Sequence, residues 1–114
     1  MRITNTTRGS ELAAEARRAD TFLTRLVGLL GRSSLKPGEA LLIQPCSSVH
    51  TAFMRFTIDV VYVDKSGKVV KTAPSMRPFR LSAAFRSSCS VIELPEGTIE
   101  MSGTIPGDEL AFSE

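Results

Sequence analysis

The stretch Ile58-Asp59-Val60-Val61-Tyr62-Val63-Asp64-Lys65-Ser66-Gly67-Lys68-Val69-Val70 decides how the chain folds. A nearly continuous β-branched and aromatic run closes at Asp64, a turn follows, and Val69-Val70 resumes the apolar pattern. Gly67 offers a residue free to take positive φ, so residues 58–73 read as a β-hairpin. An uninterrupted apolar strand implies cover on both faces, which predicts a hairpin in the middle of a sheet. Asp59 breaks the run, and a carboxylate there is costly unless it is paired or hydrogen-bonded. Strand alternation sets it opposite Ile58. Arg32, Arg55, Arg80, His50 or N–H groups of a 46–51 turn are the expected partners. The competing reading is a strand-end aspartate in solvent.

Towards the N-terminus, Ala40-Leu41-Leu42-Ile43 is a second doubly covered run, stopped by Pro45. Residues 2–6 suit a first strand, while Leu12 to Ala19 fits helix and strand equally. Asp20 is a good N-cap, with Phe22, Leu23, Leu26, Val27 and Leu30 at helical spacing and Gly31 at the end. That predicts one amphipathic helix over 20–31. Towards the C-terminus, residues 74–88 hold Pro74 and Pro78 among serines and arginines and read as a long irregular loop. Ser90 to Leu94 reads as a strand ending in the Pro95-Glu96-Gly97 turn, and Glu109 to Phe112 as a last strand after Pro106-Gly107-Asp108. The expected fold class is α+β, mostly β: a curled, mostly antiparallel sheet of about six short strands, barrel-like or sandwich-like, with one helix.

The 114 residues are 42% hydrophobic and 23% charged, ordinary values for one globular domain spanning 1–114. No apolar run approaches the roughly 20 residues that cross a bilayer, and the first twenty residues hold no apolar secretory core. A cytoplasmic protein without a membrane partner is the expectation. Two cysteines, Cys46 and Cys89, read by default as inert thiols. Fourteen basic and six acidic side chains up to residue 90 give +8, and six acidic ones after it give −6. The acids are spaced among Leu94, Ile99, Leu110 and Phe112, which favours local neutralisation over a nucleic-acid surface.

Several blocks share an order with a known family. They are Gly28-Leu29-Leu30-Gly31-Arg32, the segment from Pro45 to Arg55, Ile58 to Val70, Glu93-Leu94-Pro95-Glu96-Gly97 and Gly107-Asp108-Glu109-Leu110. With these blocks the chain resembles the domain-of-unknown-function 192 family (DUF192) of small bacterial and archaeal proteins. The resemblance implies a compact β-rich fold with little helix and brings no activity, substrate or cofactor with it. Met54-Arg55, Ile58-Asp59 and Asp64-Lys65-Ser66-Gly67 carry steps that family members share, whereas Pro-Cys-x-x-x-His marks one branch only.

Three chemistries compete for these residues. Cys46 and His50 share a face if their segment is a helical turn, and Asp59 could orient the imidazole of a thiol-dependent enzyme. Cys46, His50 and Met54, with Cys89, suit a soft metal ion, although the set is short of zinc's three or four ligands. Arg77, Arg80 and Arg86 with Phe79 and Phe85, bordered by Arg32 and Arg55, suit a carboxylate or phosphate. The favoured reading is a non-enzymatic accessory protein that binds a small ligand or a protein partner. Ser48, His50, Thr51, Arg55, Asp59 and Arg80 form the expected ligand surface, with no metal and no cofactor assigned.

Overall fold

The computed structural model describes residues 1–19, 35–44, 48–50, 56–77, 81–83 and 90–114. Among them run β1 (Arg2–Asn5), β2 (Ser10–Ala13), β3 (Glu15–Ala19), β4 (Glu39–Ile43), β5 (Ser48–His50), β6 (Ile58–Val63), β7 (Val69–Met76), β8 (Leu81–Ala83), β9 (Ser90–Pro95), α1 (Thr98–Ser102) and β10 (Leu110–Ser113). Three groups of strands result: a three-stranded sheet β10-β1-β2, a five-stranded sheet β3-β4-β9-β6-β7, and a two-stranded ribbon β5-β8. The two sheets do not close into a barrel. A mostly β fold with little helix is what the sequence predicts, and the sandwich-like alternative is the one adopted.

The hairpin forms, but only half of it is central. β6 pairs with β9 on one side and β7 on the other, and all six of its residues are buried. β7 is the edge strand. Its outer half carries Pro74 and a bulge, devices that spoil an edge for further pairing. Within the mostly antiparallel arrangement that the sequence predicts, the sheet holds one parallel pair, β3 with β4. A parallel pair needs a long crossover, and the predicted helix over 20–31 falls in that connection, outside the described residues.

Three further expectations change. Leu12 to Ala19 is strand throughout except for a bend at Ala14, because Ala14 and Glu15 both donate their N–H to the Gly38 carbonyl as the chain leaves one sheet for the other. Residues 74–76 continue β7 and 81–83 form β8, so the 74–88 segment is not one loop. After the Pro95-Glu96-Gly97 turn comes α1, a five-residue helix that the sequence reading missed. It is too short to show a helical period. The Met101 side chain lies open to solvent on it, 90% exposed.

Packing follows strand alternation. Val61 and Val63 of β6 and Ile92 and Leu94 of β9 point towards Ile3, Leu12 and Leu110 of the small sheet, with Ile99 of α1 closing that cluster. The other face carries Leu41, Ile43, Ile58, Val60, Tyr62 and Val91, packed with Leu35, Phe56 and Met76. The β6–β7 turn ties the sheets together. Gly67 has φ of +90°, and a Cβ there would lie 2.8 Å from the Leu110 carbonyl oxygen, so only glycine fits. The Leu110 N–H donates to the Gly67 carbonyl at 2.8 Å.

Asp59 is buried, which removes the solvent reading. Its partners are backbone N–H groups, one of the expected alternatives, but they come from β7 and α1 and not from the 46–51 turn. Oδ1 accepts the Ser75 N–H at 2.9 Å, and Oδ2 accepts the N–H groups of Gly97 at 3.1 Å and Ile99 at 2.8 Å. Gly97 is the N-cap of α1 and has no side chain to cap it, so Asp59 satisfies orphan helix donors from another strand. Ser75 sits at φ of 52°, the one non-glycine with positive φ among the described residues. It occupies the bulge between the Ile58–Met76 and Val60–Ala73 pairs. Left-handed backbone costs a serine roughly 1–2 kcal/mol, and the bond to Asp59 offsets it.

A second polar knot holds the opposite end of α1. The buried Asn5 amide donates to Thr104 Oγ1 and to Asp108 Oδ2, both at 3.0 Å, and its oxygen accepts the Arg8 N–H. Arg8 Nε lies 3.0 Å from the same Asp108 oxygen. The Arg8 guanidinium, then the Asn5 amide, then the Ile105 N–H hold the Asp108 carboxyl down at about 2.

Two outcomes test these anchors. Asp59→Ala should lose about 3 kcal/mol or more of stability, since it orphans three N–H groups, with Asp59→Asn intermediate. Amide exchange should speed up at Ser75 and Ile99 in both variants. Because the Asp108 carboxyl is depressed, its contribution is complete above the ordinary value of 3.8 and fades as pH falls towards 2. Acid titration followed by NMR should therefore loosen Asn5, Arg8 and Thr104 in that window.

Candidate functional site

The two segments that carry the candidate chemistry meet as backbone. β5 pairs antiparallel with β8, Ser48 with Ala83, Val49 with Ser82 and His50 with Leu81. β5 precedes β6 and β8 follows β7, so the ribbon is formed by the chain on either side of the central hairpin. His50 thus pairs with the residue that follows Arg80 and is itself followed by Thr51. Cys46, Thr51, Arg55 and Arg80 lie outside the described residues, as do Met54 and Cys89. Extended backbone at Ser48–His50 replaces the helical turn that would have stacked positions 46 and 50. The cause is the pairing with β8, which consumes the backbone groups a helical turn would need.

Asp59 stands apart from a catalytic dyad in its geometry, since both oxygens already accept backbone N–H groups. Its effect is positional: the bond to Ser75 fixes β7 one residue before its end at Met76. Arg77, next in line, is exposed. Among the described residues no three His, Cys, Asp or Glu side chains gather as a metal site would require.

The structure adds a residue that the sequence reading had left among the tail acids. Glu93 lies in β9, with Leu41 of β4 on one side and Val60 of β6 on the other. It is only 6% exposed. Ile92 and Leu94 point into the core between the sheets, so alternation turns Glu93 onto the opposite face, with Val91. It sits in the third of five strands, with apolar register partners on both sides. No hydrogen bond or ion pair reaches its carboxyl among the described residues. Burial raises that carboxyl from 4.5 to about 7. The signal was present in the sequence, for Ser90-Val91-Ile92-Glu93-Leu94 interrupts an apolar strand with an acid just as Ile58-Asp59-Val60 does. Carboxyls with strongly raised values cluster at functional sites, where burial holds them near neutrality.

The sign of its linkage is fixed by the raised value. The folded chain holds a proton on Glu93 that the unfolded chain has released above 4.5, so stability falls as pH rises from about 4.5 to about 7. The full difference is on the order of 3 kcal/mol. Glu93→Gln should flatten that slope in urea unfolding between these limits and leave the variant more stable than the parent at pH 8.

Comparison with known proteins rests on the whole length of this architecture. The chain matches the DUF192 family, "Uncharacterized ACR", over residues 3–112. A UPF0127 protein of Pyrococcus furiosus is 34% identical, with 96% of each chain covered. One of Pyrococcus horikoshii is 31% identical over 96% of this chain and 97% of that one. Two crystal structures share the fold at 19% identity. A protein of unknown function from Novosphingobium aromaticivorans gives a TM-score of 0.82 over 97% of this chain and 82% of its own. A second, described as a putative transcription regulator, from Sinorhizobium meliloti gives 0.83 over 96% of this chain and 89% of its own. Sequence blocks, fold and relatives agree: the chain belongs to the DUF192 family.

Proposed function

We propose that this protein is a non-enzymatic binding module whose ligand surface is built on the β5–β8 ribbon. The pairing of Ser48–His50 with Leu81–Ala83 is the observation that supports it. That register holds Ser48 and His50 of β5 against β8, and in sequence Thr51 and Arg55 follow β5 while Arg80 immediately precedes β8. Asp59 serves the surface by anchoring the bulge at Ser75 rather than by touching ligand. The charge of the two arginines suits a small carboxylate or phosphate, and guanidinium groups bind both in fork geometry. A thiol-dependent reaction at Cys46 loses its simplest geometry once His50 is extended.

A melting-shift screen tests the reading with a panel of dicarboxylates, inorganic phosphate and sugar phosphates. A bound ligand present at a hundred times its Kd should stabilise by about 2.7 kcal/mol, and Arg80→Ala and Arg55→Ala should each remove the shift. Iodoacetamide should modify Cys46 at neutral pH no faster than an ordinary thiol. Rapid alkylation at Cys46, suppressed by His50→Ala, would instead establish the enzymatic alternative.

A further inference from the structure

Glu93 poses a problem that the binding surface does not answer. A carboxyl in the middle strand of a sheet, flanked by Leu41 and Val60 and only 6% exposed, can stay buried as a neutral acid but not as an unpaired anion. Among the described residues the titratable and charged groups on the same face are few. On the adjacent strands they are Glu39 of β4 and Tyr62 of β6. Beyond them stand Glu15 and Arg17 of β3 and Lys71 of β7. Arg17 pairs with Leu41, so it is two strands away, roughly 10 Å across the sheet. Glu39 already accepts the Lys36 N–H at 2.8 Å. The Lys71 ammonium sits over the Tyr62 ring, 5.6 Å from its centre. The described residues that lie over the face, Leu35 and Phe56, are apolar.

We propose that Glu93 is a proton switch for this face of the sheet: with its proton the face stays closed under Leu35 and Phe56, and loss of that proton to solvent opens it. Only one proton is exchanged and no bond besides O–H is broken. The anion gains its missing partners from water, and water reaches it only if the apolar cover lifts. Because burial holds the carboxyl near 7, the change falls in the range where cells regulate pH. Leu35 leads into β4 and Phe56 into β6, so the chain that moves first is the chain entering two strands of the sheet.

Tyr62 reports on the event. It is the chain's one tyrosine, there is no tryptophan, and its register partner Val91 is two residues from Glu93 on the same face. Such diagonal neighbours lie about 7–8 Å apart, near enough for an ionised carboxylate and entering water to change tyrosine emission. Emission between pH 5.5 and 8.5 should show a one-proton step, and amide exchange at Leu42, Val60 and Glu93 should accelerate at least tenfold above its ordinary pH dependence. Glu93→Gln should show neither change, and Glu93→Met repeats the comparison if the glutamine variant fails to fold. Histidine titrates in the same range, so His50→Gln is measured in parallel and should keep both changes. Three results would overturn the proposal: no step in the parent, a step that survives in the Glu93 variants, or a step without faster exchange.

Discussion

A carboxylate placed inside a sheet has to be met by donors, and in this fold the donors that meet Asp59 come from three other places in the chain. Ser75 belongs to the bulge of β7, Gly97 to the cap of α1 and Ile99 to its first turn. One side chain thereby holds the edge strand, the central strand and the helix in a single arrangement. The geometry explains features that look unrelated. α1 survives at five residues, far below the length at which helices stand alone, because its N-terminal donors are satisfied from outside. Ser75 tolerates a left-handed backbone because its N–H is captured. The bulge in turn spoils β7 as an edge for further pairing.

The most legible parts of the fold were those whose pattern is local and whose cover is complete. β4, β6 and β9 are runs of apolar residues buried on both faces, and each was placed to within a residue. The turn at Asp64 to Lys68 was equally plain, since Asp64 binds the Ser66 and Lys68 N–H groups through its own carboxylate. β3 was not legible. Glu-Ala-Arg-Arg-Ala carries no apolar alternation, and it is a strand because β4 offers it a parallel edge. β5 and β8 are three residues each, and their pairing is set by the hairpin between them rather than by composition. α1 depends on Asp59, forty residues away from Ile99, and no local window contains that fact.

The candidate site divides along the same line. That Asp59 was constrained could be read from a charge inside an apolar run, yet its partners could not, because backbone N–H groups leave no trace in a sequence. The expected partners were arginines, His50 or N–H groups of the 46–51 turn; the chemistry of the last alternative holds, but its place in the chain does not, because a sequence displays side chains and not which backbone groups converge. Glu93 offered the same signal and was read as one of six acids in the tail, where charge balance drew attention to the segment as a whole. A buried acid is better recognised by its two neighbours than by its domain's net charge.

The contrast between those two acids carries the last step. Both interrupt doubly covered strands, Asp59 on the face towards the small sheet and Glu93 on the other. Their strands are neighbours, with Asp59 paired to Leu94 and Glu93 to Val60. Asp59 has three donors and is fixed. Glu93 has none among the described residues and must hold a proton to stay where it is. Evolution of a purely structural sheet would replace such a residue at little cost, because Gln or Leu fills the same space without the penalty of an unpaired charge. A clamp and an unpaired acid on opposite faces of adjoining strands give the sheet one rigid side and one side whose closure depends on a proton. In sequence β5 precedes β6 and β8 follows β7, so the ribbon's two strands flank the hairpin whose bulge the Asp59 clamp holds.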